Sequence, residues 1–360
     1  MSAHELLITV MAIFAVFGAI DRIFGNKLGL GQEFENGILA MGSLAMAMVG
    51  IIALAPVLAA VLRPVVVPVF RVLGADPAMF AGTILACDMG GGALAQELTE
   101  NVDAALLGGV ITGSMLGATI VFTIPVAMGI LKQEDRPAMA KGILAGIVTI
   151  PVGVLVGGIV AGFPIMMVLS NLIPIVIIGA LIALGLWKAE GTMIRGFGWF
   201  GKGVVTLITI GLAAAIIEAL TGFAIIPGME SVEVGFQTVG SIAIVLAGAF
   251  PLVYTITRLF RKPLLKLGRL LGVNDAAAAG LIASLANSIA TFGMVKDMDN
   301  RGKVVNIAFA VSAAFVFGDH LGFTAGFAPE LLPAMILGKL AGGISAVAVA
   351  LWLTRKENRK

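Results

Sequence analysis

Charge is scarce in this sequence. Only 12% of its 360 residues are Asp, Glu, Lys or Arg, against about 25% in a soluble domain. A surface wetted on all sides is therefore excluded. The net charge is +2, which leaves no basic field of the kind that grips nucleic acid. There is one cysteine, Cys87, so neither an intrachain disulfide nor a thiolate metal cluster can be built. Histidine occurs twice, as His4 and His320, and HExxH, P-loop and GxSxG sequences are missing. Those absences argue against the common hydrolytic and phosphoryl-transfer enzymes. No cofactor and no metal are expected, and no polar stretch is long enough for a separate soluble domain.

What is abundant is apolar. Hydrophobic residues make up 59% of the chain and the mean hydropathy is +1.07. The 47 glycines suit helices that pack closely in lipid, where no hydrophobic force acts between them. The expected class is an all-α polytopic membrane protein of about ten to eleven transmembrane helices. Runs long enough to cross lie near 5–24, 37–62, 78–98, 104–131, 138–161, 163–187, 202–223, 236–259, 276–295, 303–323 and 331–353. The first run begins without the basic n-region and cleavage site of a signal peptide, so it is taken as a span. Segments 78–98 and 276–295 are rich in Gly, Ala, Ser and Asn and are expected to be broken or re-entrant. The stretches 62–77 and 188–201 read as interfacial helices or loops, with Arg and Trp suited to the headgroup level.

An internal repeat runs through the chain. RVLGADPAMFAG at 71–82 and RLLGVNDAAAAG at 269–280 agree at six of twelve positions, 198 residues apart. The same offset pairs Gly42-Ser43 with Gly240-Ser241, Arg63 with Arg261, and Ser114 with Ser312. An offset of 196 pairs Pro137-Ala138-Met139 with Pro333-Ala334-Met335. The expected organisation is a single transmembrane domain over 1–360. It has repeat one at about 5–161, a linking helix at about 163–187, and repeat two at about 202–353, a transporter-like plan. Arg63 and Arg71 flank one connection; Arg258, Arg261, Lys262, Lys266 and Arg269 flank its partner, and the positive-inside rule places both in the cytoplasm. The tail RKENRK also favours the cytoplasm, which eleven crossings forbid. One segment is therefore broken or does not cross, and both parallel and inverted repeats stay open.

Chemistry concentrates at a few polar residues inside these runs. Asp88 sits halfway along 78–98, where a carboxylate costs roughly 2.5–3.5 kcal/mol on insertion scales. Gly90, Gly91 and Gly92 follow it, and glycine lets a helix open or a ligand approach the backbone. An acid beside a loosened helix at mid-membrane is how a small cation would be held; the alternative is a structural acid paired with a buried base. Asn287 lies one position from the repeat equivalent of Asp88, as a ligand for a hydroxyl or as an interhelical hydrogen-bonding group. Asp319 and His320 are adjacent, so on a helix one faces a cavity and the other a neighbouring helix. Histidine could relay protons. Lys339 and Lys141 are candidate countercharges, and Asp21-Arg22 has the look of a snorkelling anchor.

The stretches MFAGTILACDMGG (79–91), GILAGIVTIPVG (142–153), VTLITIGLAAA (205–215), RGKVVNIAFAVSAAF (301–315) and GDHLGF (318–323) resemble the ethanolamine-utilisation transporter family (EutH). EFENGILAMGSLAMAMVG (33–50) is similar to an early family stretch, with Asn36 in place of an acid. The resemblance covers essentially the whole chain. It implies a multi-pass permease of the bacterial cell inner membrane that takes up ethanolamine, and no enzyme. A protonated amine needs a carboxylate to offset its desolvation. The expected substrate-binding residues are then Asp88 first and Asp319 second for the ammonium, with Asn287 for the hydroxyl and His320 beside them. Membrane lipids are the other expected partners, and a homo-oligomer is compatible with this plan. The alternatives are a channel-like facilitator, an ion-coupled transporter of another small cation, and a membrane enzyme acting on an amine-headed lipid.

Overall fold

In lipid every backbone polar group must be satisfied internally, so apolar runs of this length fold as helices. A computed structural model describes residues 2–355, apart from the side chains at 260–262, 264, 267 and 269. Arg261, Lys262, Arg269 and the tail residues 356–360, used above to orient the chain, lie outside the described residues. Among the described residues the secondary structure is helical throughout, without strands. Among the described residues, seven helices are long and apolar enough to cross a membrane.

Helix α1 (Ala3–Ile23) opens with a capping box: Glu5 N–H donates to Ser2 Oγ at 3.3 Å, and Ser2 N–H donates to Glu5 Oε2 at 2.8 Å. At its far end Asp21 accepts the backbone N–H groups of Leu28 and Gly31, each at 2.9 Å. Asp21 therefore closes the turn into α2 (Leu30–Val72) rather than anchoring at the headgroups. The 43 residues of α2 reach about 65 Å, roughly twice the hydrocarbon thickness. This helix absorbs much of the 62–77 stretch expected to be a connection.

The first broken segment follows: α3 (Ala78–Ile84), an extended stretch with a single 3₁₀ turn at Cys87–Met89, then α4 (Gly91–Leu98). Against it runs a continuous segment, from α5 (Val102–Leu106) through π-helical turns Leu107–Gly117 and Thr119–Thr123 into α6 (Ile124–Ile130). A π-helix of 11 residues is rare, since π geometry normally survives for a single turn. Two glycines explain the contact. A methyl group at Gly82 would overlap the Gly108 carbonyl, and one at Gly117 the Leu85 carbonyl, so only glycine lets these backbones touch.

Helices α7 (Arg136–Ile147) and α8 (Ile150–Val160) lead to α9 (Ile165–Thr221). Its 57 residues bend at Ala189 (φ −145°, ψ 47°), so it serves as two arms, and of the two forms open to 188–201, helix or loop, the helix is found. After α10 (Val232–Leu270) comes the second broken segment, α11 (Asp275–Ala286) and α12 (Ser288–Met294), interrupted at Asn287 (φ −158°, ψ 124°). Helix α13 (Asn300–Ala313) and α14 (Asp319–Phe327) are separated by an irregular turn at 314–318, and α15 (Leu332–Leu353) ends the fold.

Segments 78–98 and 276–295, expected to be broken, are both interrupted, the first at 85–90 and the second at Asn287. Positions paired by the 196-residue sequence offset also share local devices. A 3₁₀ turn precedes α7, which has Pro137 in its first turn, and another precedes α15, which has Pro333 in its first turn. One difference stands out: 102–130 runs on where 300–327 is broken.

Candidate functional site

The two breaks hold their backbones in unusual shapes, and those shapes aim the polar side chains. Leu85 and Ala86 are extended, and Gly90 closes the 3₁₀ turn at φ 90°, a conformation glycine adopts without penalty. Asp88 is thereby carried on a 3₁₀ turn between two α-helices and lines a cavity of about 160 Å³. In the 314–318 turn, Phe315 has φ 62°, a strained value for a bulky side chain that persists only where the surroundings impose it. The imposing contacts are to the end of α11. Phe315 N–H donates to Ser284 O at 3.1 Å and Phe317 N–H to Leu285 O at 2.8 Å. This crossing sets α14 so that its first two residues, Asp319 and His320, both line the cavity that holds Asp88.

The walls are Ser43, Leu44 and Ala47 of α2, with the rings of Phe122 and Phe315. Phe315 stands edge-on to Phe122 at 5.4 Å between centroids and tilted against His320 at 5.3 Å. His320 Nε2 lies 3.7 Å from Asp88 Oδ1, with side-chain exposures of 4% and 15%. Behind the imidazole, Lys339 Nζ approaches His320 Nδ1 at 3.0 Å and donates to the Ser114 carbonyl at 2.5 Å. The structure thus brings Asp88, Asp319 and His320 together. Asp319 and His320 do not divide between a cavity and a neighbouring helix as expected, because Asp319 opens the helix directly after the turn.

Asn287 is placed differently. Its Oδ1 accepts the Ile289 N–H at 2.7 Å, capping α12, and it lines a neighbouring cavity of about 280 Å³ with Glu33, Tyr254 and Phe317. Asp319 lines both cavities. The carboxylate that sequence placed second is the one standing between the two spaces.

The donor atoms of Cys87, Asp88 and His320 lie within 4.8 Å of one another, a set that a borderline-soft divalent metal could use. The Lys339 amine against the far side of the imidazole opposes a dication there. The arrangement is better suited to a monovalent organic cation: a carboxylate in a small enclosed space, with aromatic faces beside it.

A family profile described as "EutH: Ethanolamine utilisation protein, EutH" matches residues 3–353. The chain belongs to the EutH family. Among its EutH relatives, a "Probable ethanolamine permease EutH" of Listeria monocytogenes serotype 1/2a (strain 10403S) is 61% identical. That match spans 100% of this chain and 96% of the relative. A protein of the same printed name from Salmonella typhimurium (strain LT2) is 48% identical over 99% of this chain and 97% of the relative. "Uncharacterized protein YxeR" of Bacillus subtilis (strain 168) is 51% identical, with 100% and 97% covered. No solved structure matches. Family membership and the seven apolar helices together make this EutH chain a multi-pass membrane protein.

Sequence reasoning missed several residues of the site in this EutH chain. Phe122 and Phe315 gave no signal beyond hydrophobicity, since 20 phenylalanines are spread along the chain. Ser43 was visible only as a member of the Gly42-Ser43 repeat match. Lys339 was noted as a countercharge, but nothing in its spacing from His320 indicated contact with the imidazole rather than with an acid.

Proposed function

We propose that this protein is a permease that takes up ethanolamine, in its protonated form, across the bacterial inner membrane. The printed names of its relatives suggest the substrate, and the reading is supported most by one observation: Asp88, an intramembrane carboxylate, lines a small cavity together with Asp319, with His320 as its nearest basic side chain at 3.7 Å. An ammonium ion leaving water loses hydration that only an opposing charge and hydrogen bonds can offset. Asp88 would hold the ammonium, with Asp319 beside it. The two-carbon chain would lie against Phe122 and Phe315. The Ser43 hydroxyl, which donates to Ala40 O at 2.9 Å, keeps lone pairs for the substrate hydroxyl.

Asp319, lining both cavities, would pass the cation between the inner space and the one shared with Asn287 and Glu33. A transporter needs such a route and a hydrolase does not, so the arrangement argues for transport rather than chemistry on the amine. A membrane potential of 100 mV, negative inside, would favour cation entry by roughly 2.3 kcal/mol without any coupling ion. The two halves, with paired broken segments and paired proline-headed helices, would move against each other around this site.

The deciding experiment is uptake of labelled ethanolamine into liposomes carrying the purified protein, with and without imposed pH and Na⁺ gradients. Saturable uptake driven by membrane potential alone is the expected result. Non-saturating flux would indicate a channel-like facilitator. Product formed from ethanolamine or an amine-headed lipid in detergent would indicate an enzyme.

A further inference from the structure

Lys339 is buried at 1% exposure on α15 and does not line the cavity itself. Among the described residues no carboxylate forms an ion pair with it. A lysine placed that deep must spend its N–H groups on specific partners, and the structure puts two polar atoms within reach of its Nζ: the Ser114 carbonyl, which accepts, and His320 Nδ1 at 3.0 Å. The carbonyl belongs to the π-helical stretch Leu107–Gly117.

An ammonium group has three donors and no lone pair. If Lys339 donates to Nδ1, the proton of a neutral imidazole must sit on Nε2, the nitrogen that faces Asp88 Oδ1 at 3.7 Å. The order of groups is lysine, imidazole, carboxylate, so a charged Lys339 would act on the acid through the imidazole. In a cation transporter, a fixed internal cation two contacts from the binding carboxylate is costly unless it has work to do.

We propose that Lys339 is a positioning residue for the substrate site. It fixes His320 as the Nε2–H tautomer, so that Asp88 faces a donor belonging to the protein whenever no substrate ammonium is bound. The empty carrier then keeps its carboxylate compensated and can change conformation without a coupling ion. Arriving substrate displaces the imidazole contact, and the imidazole stays oriented by Lys339 for the return.

Two measurements test this. The chain has only two histidines, so ¹⁵N-histidine labelling of a His4→Gln variant in nanodiscs leaves the His320 ring as the sole signal. The expected spectrum without substrate shows Nε2 protonated and Nδ1 unprotonated, and Lys339→Met mixes or reverses the two. Protonation of Nδ1 in the protein with Lys339 intact, or an unchanged tautomer in Lys339→Met, would overturn the proposal. The wild-type half of this measurement needs no variant at Lys339 that folds poorly.

The second measurement rests on the ammonium-site reading above. In liposomes, Lys339→Met should lower net ethanolamine uptake at least tenfold while exchange of labelled for unlabelled substrate falls less than twofold, because only net uptake requires the empty carrier to return. Equal loss of both fluxes would overturn the role in return. If the unaltered protein moves no ethanolamine at all, the proposed function fails, and the tautomer spectrum alone decides the inference about Lys339.

Discussion

His320 Nε2 faces Asp88 Oδ1 across 3.7 Å, and each residue is presented by a different interruption of helix. Asp88 comes from the 3₁₀ turn between α3 and α4, and His320 from the first turn of α14, just after the strained Phe315 turn. Neither approach would exist if the segments were continuous.

Asp88→Asn keeps the shape of the side chain and removes the charge. An ammonium bound without its counterion loses about 3–5 kcal/mol when the site is buried. Ethanolamine binding, measured by calorimetry on purified protein, is therefore expected to weaken roughly 100- to 4000-fold. Thermal stability should not fall, since a mid-membrane charge is removed. Retained binding would reassign the ammonium to Asp319.

Asp319→Asn is expected to act on rate more than on affinity. Asp319 lines both cavities, so its neutralisation raises the barrier between them and leaves Asp88 in place. Initial uptake should drop while calorimetric binding weakens by less than about tenfold, near 1.4 kcal/mol. Loss of binding to the level of Asp88→Asn would show that the two acids form one site.

Ala47→Phe tests where the ligand sits. Ala47 lines the inner cavity from α2, and a phenyl ring there would occupy much of its roughly 160 Å³. Uptake should be abolished with the unfolding temperature in detergent nearly unchanged, because the new side chain fills existing space. Normal uptake would move the pathway elsewhere.

Gly82→Ala tests the packing that shapes the break. The added methyl would overlap the Gly108 backbone carbonyl, and overpacking of this kind typically costs about 1–3 kcal/mol. Reduced yield and a lower unfolding temperature are expected. Gly129→Ala, where nothing lies near the new methyl, is the matched control and should be neutral.

Asp135→Asn tests a contact far from the cavity. Lys303 Nζ meets Asp135 Oδ1 at 2.5 Å, with side-chain exposures of 15% and 2%. This joins the turn before α7 to α13. Removing one partner of a buried pair costs about 3–5 kcal/mol. The variant should unfold at a markedly lower temperature, and ethanolamine affinity in the surviving folded fraction should be unchanged.

The amino-acid sequence by itself determined that the chain lives in lipid, because 12% charge and a mean hydropathy of +1.07 leave no other solvent. It also located the breaks. Asp88 followed by three glycines, and Asn287 among Ala and Ser, are local conflicts with a continuous helix, and local conflicts are legible in order along the chain. Tertiary structure alone decided which polar residues meet. His320 reaches Asp88 because the 314–318 turn pairs with the end of α11, and Lys339 reaches His320 from α15. Asn287, one position from the repeat equivalent of Asp88, turned instead to cap its own helix. Spacing along a chain sets which face of a helix a residue occupies. Which faces come together depends on backbone contacts between distant segments, such as Gly82 with Gly108 and Gly117 with Leu85, and those are summed over the whole fold before any pair of side chains can touch.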